Sequence, residues 1–192
     1  SKKLRCCNFQ KTKGFSCLEI FKFIFLLVFS AKNLYRTLQS EADSGMPQKD
    51  TIYRFLNSCR YNWRKFLLTL SSTIIKETIE PLKPHSWKNV LILDDSLYSR
   101  NRSKAVELLA RVRDHVEHKY VLGFRMLTLG WSDGNTFLPV AFSLLSSENE
   151  HNRLCGINQR LDKRTTGYKR RMESIKKSTE VMFDLLRQAQ EQ

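Results

Sequence analysis

Glycine and proline are scarce in this chain, with 7 and 4 among 192 residues, which excludes collagen-like and proline-rich architectures. The five cysteines form no CxxC pair and have no histidine at zinc-ligand spacing, so the sequence predicts neither a zinc finger nor a disulfide framework. We therefore expect reduced thiols and a cytoplasmic location. Hydrophobic residues make up 41% of the chain, which is enough to bury a core and excludes a wholly disordered polypeptide.

The sequence also lacks an apolar run of membrane-spanning length. Its most hydrophobic stretch, residues 15–31, follows a basic segment and resembles a signal peptide. Glu19 and Lys22 interrupt it, and the unbroken run from Phe23 to Phe29 is far shorter than the roughly 20 residues that a span needs. We interpret this stretch as a core helix and predict no membrane partner. A secreted or membrane-associated basic protein is the alternative.

Acidic residues are outnumbered, since 33 Lys and Arg against 19 Asp and Glu give a formal net charge of +14. A strongly basic globular protein usually binds a polyanion, most often nucleic acid. The charge is uneven: residues 1–88 hold 16 basic and 6 acidic side chains, residues 89–150 hold 7 and 8, and residues 151–192 hold 10 and 5. This layout suits a reaction centre flanked by two phosphate-binding surfaces.

The first 88 residues are predicted to be helical. Apolar residues recur at helical spacing over residues 15–39, a turn follows over 41–48, and further helices are predicted over 49–57 and 63–80. A short helix after a turn, with exposed cations, suits DNA binding of the helix-turn-helix type, and a plain helical bundle with solvated cations fits equally well. The cations concerned are Lys49, Arg54, Arg60, Arg64 and Lys65.

The pattern changes to strands in the middle of the chain. Residues 89–93 (NVLIL) form a short apolar strand that ends in acids, residues 119–131 form a second strand, and residues 136–145 form a third. The Asp-Gly turn between the last two strands predicts an antiparallel hairpin. Residues 103–118 are compatible with one or two helical turns. The prediction is therefore an α/β protein.

The C-terminal part is basic and then helical. Residues 160–177 read as a solvated loop, a DNA-contacting arm, or both, and residues 178–190 have helical spacing. Candidate phosphate contacts lie in this arm and just after the first strand, and such contacts position DNA without reading its sequence. They are Tyr168, Lys169, Arg170 and Arg171 in the arm, and Arg100, Arg102 and Lys104 after the strand.

The paired carboxylates of Asp94 and Asp95 are the most informative residues. Carboxylates beside a core are costly unless they are paired, hydrogen-bonded or bound to a metal. A hard cation such as Mg²⁺ takes oxygen ligands and typically uses one or two carboxylates, which leaves room for a phosphate substrate. The alternative is structural, with either acid capping the next turn and Ser96 assisting.

Several motifs together resemble the DDE transposases, and most closely the bacterial insertion-sequence group related to insertion sequence four. They are the LILDDS strand end, the GWSDG turn and the TTGYKRR run, with MPQKDTIYRFLN upstream. The resemblance covers roughly residues 20–192. It implies a helical, basic, DNA-binding region over residues 1–88, and over residues 89–192 the first half of a ribonuclease-H-like domain, with three antiparallel strands and then a helix.

The resemblance also implies the chemistry. Asp94 fits the first catalytic aspartate and metal ligand, with Asp95 as the alternative because successive strand residues face opposite ways. The implied cofactor is Mg²⁺ or Mn²⁺, the implied partner is DNA at transposon ends and target, and a homodimer is one option.

The family site also needs a second aspartate on a fourth strand and a glutamate on a later helix, and we assign neither here. We therefore expect an N-terminal part of such an enzyme that is inactive alone. A non-catalytic DNA-binding module is the alternative reading.

Overall fold

The structure, a computed structural model, describes residues 2–40, 45–82, 84 and 86–192. The chain divides into two units, Ser1–Asn62 and Trp63–Gln192. This division lies before the one that we expected after residue 88, because the helix that begins at Trp63 packs on the sheet of the second unit. The roles assigned to the two regions stay predictions.

The first unit is helical, as its apolar spacing predicts. Its helices are α1 (Lys2–Arg5), α2 (Cys17–Phe29), α3 (Leu34–Ser40) and α4 (Lys49–Leu56). The single helix expected over residues 15–39 is therefore two helices. The break follows α2, where the Ser30 hydroxyl donates to the Leu26 carbonyl at 2.9 Å and Ala31 adopts a left-handed φ of 51°.

Helix α2 begins with a capping box. The Ser16 hydroxyl accepts from the Glu19 backbone N–H at 3.2 Å, and the Glu19 carboxylate accepts from the Ser16 N–H at 2.7 Å. Hydrogen bonding of the Glu19 carboxylate to the side chain and the backbone of Ser16 lowers the pKa of Glu19. The box satisfies two backbone donors that an uncapped helix would leave without partners.

The core-helix interpretation of this segment holds for one face of α2 only. Ile20 and Leu27 are buried, whereas Val28 and Phe29 expose 76% and 72% of their surface. Among the described residues, no helix combines the length and the apolar character that crossing a membrane would require.

The second unit is built on one antiparallel sheet. Strand β3 (Tyr120–Ser132) is central, because its residue Leu129 pairs with Leu93 on one side and with Ala141 on the other. A short strand, β2 (Ala110–Arg113), pairs with β3 on the same side as β4 (Phe137–Leu145), beyond the point where β4 ends. The elements are α5 (Trp63–Ile74), β1 (Val90–Ser99), β2 (Ala110–Arg113), β3 (Tyr120–Ser132), β4 (Phe137–Leu145), α6 (Thr166–Ser174) and α7 (Ser178–Gln190).

Helices cover one face of this sheet. Leu127, Leu129 and Trp131 of β3 share that face because strand side chains alternate, and all three are buried. They belong to one core with residues of α5 and α7, including Leu68 and Leu185. Helix α7 has the bounds that its spacing predicts, and helix α6 forms within the basic stretch expected as a loop or arm.

Two local predictions were wrong. Strand β1 does not end at the acids, because Ser96 to Ser99 continue the ladder with Met126 to Gly123, so the acids lie in mid-strand. The helical turns expected over residues 103–118 are instead β2 and its flanking turns. Ala110 and Val112 are buried there and alternate with exposed arginines, which is the period of a strand. The predicted α/β, ribonuclease-H-like fold class is confirmed.

Candidate functional site

The two acids of β1 point to opposite faces of the sheet. Leu93 and Leu97 pack against buried residues of β2 and β3, which places them on the helix-covered face. Asp95 lies between them and shares this face, while Asp94 lies on the other face by alternation. The expectation that the two carboxylates face opposite ways therefore holds.

Asp95 is neutralised by a neighbouring cation. Its carboxylate accepts a hydrogen bond from Nε of Arg125 at 3.2 Å and forms an ion pair with the same guanidinium. Arg125 lies on β3, two residues from Leu127, which is the direct partner of Asp95. Such diagonal neighbours are within reach of a long side chain. Asp95 is therefore engaged in holding β1 to β3.

Asp94 is in a different environment. Its side chain is exposed, and its Oδ2 accepts a hydrogen bond from the Ser96 hydroxyl at 2.5 Å. Within the described part of the chain it forms no ion pair. The surrounding face is open, since Ile92 beside it and Phe142 across the sheet expose 41% and 47% of their surface. Asp94 thus keeps an accessible negative charge.

This arrangement fits one ligand of a hard cation. Mg²⁺ in phosphate-processing sites is usually held by one or two carboxylates together with water and substrate oxygens. Asp94 offers an accessible carboxylate, and Ser96 offers a hydroxyl beside it. The described residues contain no group of three or more His, Cys, Asp and Glu side chains that could hold a metal ion. The fit is therefore to a single ligand and not to a complete metal centre.

The predicted phosphate contacts of the basic arm are brought together only in part. Tyr168, Lys169 and Arg170 line one cleft with Lys163 and Lys176, which we call the α6 cleft. The local cause is a helix start, since the Thr165 hydroxyl accepts from the Tyr168 N–H at 3.3 Å. Because α6 begins there, Lys169 and Arg170 lie near its start and are exposed.

Arg171 does not join this cleft. Its Nε donates to the Glu107 carboxylate at 2.8 Å, and its Nη1 donates to the Gly167 carbonyl at 3.0 Å. Glu107 belongs to the loop before β2, so the arginine ties α6 to that loop. This side chain is therefore occupied within the fold, and its role as a phosphate contact remains a prediction.

A buried carboxylate that the sequence did not reveal lies beneath the α6 cleft. Glu173 is 5% exposed and accepts from both terminal nitrogens of Arg64, at 2.7 and 2.6 Å, and from the Ser143 hydroxyl at 2.6 Å. Arg170 also pairs with it at 2.5 Å. The prediction that Arg64 is exposed for DNA was wrong, because this pairing holds it 9% exposed in the core.

The remaining predicted contacts lie at two separate places. Arg100 follows β1, and its guanidinium lies 4.4 Å from the centroid of the Tyr98 ring, with a hydrogen bond to the Tyr98 hydroxyl. Tyr98 is on the face of Asp94 by alternation. Arg102 and Lys104 continue this exposed loop. Exposed Lys49 and Arg54 lie on α4 in the first unit, and the helix-turn-helix prediction stays untested.

The structure shows further cations that sequence reasoning missed. Arg111 and Arg113 line a second cleft with Lys176 and Lys177. The signal was present in the sequence, because ARVR alternates apolar and basic residues with a period of two. The helical interpretation of residues 103–118 assigns no role to these arginines.

Comparison with known proteins gives one match. Residues 26–192 match the model of a family described as DDE superfamily endonuclease. No curated protein and no solved structure matches the chain.

Proposed function

Because the chain belongs to the DDE superfamily endonuclease family, we propose that it acts in a DNA transposase of the group related to insertion sequence four. The parent reaction has two phosphoryl transfers. A water oxygen bonds to a phosphorus of the transposon end, and the strand's 3′ oxygen leaves as a hydroxyl. That hydroxyl then attacks a target phosphodiester and displaces another 3′ oxygen. DNA is the partner, the cytoplasm is the proposed location, and a homodimer stays a prediction.

The observation that carries the site assignment is the contrast between the two acids of β1. Both acids are exposed, but Asp95 is paired with Arg125, whereas Asp94 forms no ion pair among the described residues and lies beside Ser96. A metal ligand must keep its charge available, so Asp94 is the proposed ligand. When bound, Mg²⁺ or Mn²⁺ would stabilise negative charge on the attacking and leaving oxygens. Asp94 would hold the ion, and Ser96 would orient the carboxylate.

The basic residues around the site are proposed to hold DNA. Lys169 and Arg170 of the α6 cleft, and Arg100 on the side of Asp94, would contact backbone phosphates. Lys49 and Arg54 would contact DNA from the first unit. The described residues supply one candidate ligand, so we propose that they do not cleave DNA by themselves. That finding also favours the second candidate, a DNA-binding module without catalysis.

Manganese broadening in nuclear magnetic resonance spectra separates these functions without relying on cleavage. With a short DNA duplex present, Mn²⁺ should broaden the backbone signals of Ser96 and Thr128, the neighbours of Asp94, in the wild-type chain. Asp94→Asn should abolish the broadening and leave DNA affinity nearly unchanged. Asp95→Asn is the matched control, because it removes the same charge one residue away and should keep the broadening.

The possible results divide clearly. Broadening that survives Asp94→Asn but is lost in Asp95→Asn would move the ligand to Asp95. No broadening in any variant, with DNA binding intact, would favour the non-catalytic module. Cleavage of DNA by the 192-residue chain alone would contradict the proposal that its described residues hold an incomplete site.

A further inference from the structure

A basic cleft lies at the edge of the sheet, and its lining contains no residue of β1. It lies where β4 ends and β2 begins to pair with the same edge of β3, and the first residues of α7 also line it. We call it the seam cleft. Its charged lining consists of Arg111, Arg113, Arg125, Lys176, Lys177 and Glu148.

Three of these cations have no acidic partner in the part of the chain that the structure describes. Arg125 is paired with Asp95, and Lys176 lies 3.4 Å from Asp184. Arg111, Arg113 and Lys177 form no ion pair within the described residues. The strand alternation that buries Ala110 and Val112 on the helix-covered face places both arginines on the opposite face, and they line the cleft from the β2 edge. The cleft therefore concentrates positive charge that the fold itself does not neutralise.

The acid nearest to Arg113 along the chain is already engaged. Asp114 accepts from the backbone N–H groups of Val116 and Glu117 at 2.9 and 3.1 Å. These hydrogen bonds lower the pKa of Asp114 and hold its carboxylate in the turn between β2 and β3. Glu148 is then the single acid in the lining of the cleft. The lining therefore carries a net positive charge, which would favour a bound anion.

Neutral donors complete the lining. Ser178 and Thr179, the first residues of α7, face the cleft. Lys177 occupies the N-cap position and makes no side-chain cap hydrogen bond. The first N–H groups of a 13-residue helix and its dipole therefore add to the side-chain charges. Cations, hydroxyls and helix N–H groups together are the donors that bind phosphate oxygens.

We propose that the seam cleft binds backbone phosphates of DNA, as an extension of the α6 cleft. Lys176 lines both clefts, so the two adjoin at this residue. This inference rests on the proposed function, because it takes DNA as the polyanion. It adds Arg111, Arg113 and Lys177 to the DNA-contacting residues.

The salt dependence of DNA binding tests the proposal. Fluorescence anisotropy with a labelled duplex gives the slope of log affinity against log salt concentration, and each lost phosphate contact reduces that slope by about 0.9. Arg111→Gln, Arg113→Gln and Lys177→Gln, each in the full chain, should show this reduction and weaker binding. Arg187→Gln is the matched control, because Arg187 lies on α7 outside both clefts, is 70% exposed, and carries the same charge.

Each outcome of these measurements supports or overturns the proposal. If the wild-type chain binds DNA and the three variants match Arg187→Gln, the seam cleft is not a DNA contact, while the proposed function stands. If the wild-type chain does not bind DNA, the proposed function fails and the inference with it. A third arm adds inorganic phosphate without DNA and follows the amide signals of Ser178 and Thr179. If phosphate shifts them but DNA does not, the cleft takes a small anion, and the DNA assignment is overturned.

Discussion

Replacing Glu173 with glutamine should destabilise the second unit strongly, although the change is nearly isosteric. The carboxylate is 5% exposed, and its main partner Arg64 is 9% exposed. Removing one partner of a buried ion pair leaves the other charge uncompensated, which costs about 3–5 kcal/mol. The glutamine amide also turns two N–H donors toward a site where Arg64, Arg170 and Ser143 are already donors.

Tryptophan fluorescence in urea measures this loss for the second unit alone. All three tryptophans of the chain, Trp63, Trp87 and Trp131, lie in Trp63–Gln192, so their emission follows the unfolding of this unit. Against a domain stability of about 5–15 kcal/mol, this loss should shift the midpoint of the variant far toward low urea. The slope of the transition should stay unchanged if only stability is altered.

Two comparisons make the result specific. Glu150→Gln removes a carboxylate that is 88% exposed and paired with Arg153, and it should change stability by less than about 1 kcal/mol. The double variant Arg64→Met with Glu173→Met removes both buried charges, and it should be less destabilised than the sum of the single changes by about 2 kcal/mol. A loss below about 1 kcal/mol in Glu173→Gln would refute the reasoning, because the pair would then not be a buried contact between α5 and α6.

Two further predictions concern backbone packing and pH. Gly123→Ala should lower the free energy of unfolding by about 1–3 kcal/mol in the same fluorescence assay, because a Cβ there meets the backbone carbonyl of Tyr98 in β1. Gly130→Ala should cost less, because its Cβ meets only the ring of half-exposed Phe137, which can move. Equal losses in the two variants would contradict this prediction. Ser16→Ala should cost about 1 kcal/mol at the start of α2, measured by amide hydrogen exchange. Because Ser16 lowers the pKa of Glu19, protection of the α2 amides in the wild-type chain should be full above the ordinary glutamate pKa and should be lost as pH falls through the lower folded-state pKa. Protection that does not change with acid pH would count against the capping box.

The helices and the long strands were predictable because their apolar periods are local. Residues 178–190 and Lys49–Leu56 have periodic apolar positions that need no knowledge of distant contacts. Strand β2 was not predictable in the same way, because four residues form a strand only where the edge of β3 offers a partner. Its alternation was visible, but the neighbouring apolar residues suggested a helix.

The site was predictable to a similar extent. That Asp94 and Asp95 face opposite ways follows from strand geometry alone. Which of the two faces is covered depends on where α5 and α7 pack, and that requires the fold. The pairing of Arg64 with Glu173 spans 109 residues, and nothing local to either position indicates it. An arginine in an amphipathic helix reads as solvated until its distant partner is known.

Strand β1 carries a consequence for handling the protein. It pairs with β3 on one side, and no described residue pairs with its other edge. Val90 and Ile92 are exposed along it, which makes the edge a template for adding a strand from another molecule. Since Asp95 is paired with Arg125, we expect the Asp94 carboxylate to act as the gatekeeper against such aggregation. We expect the Asp94→Asn variant to self-associate more readily through this edge, so each of its assays needs light scattering as a control.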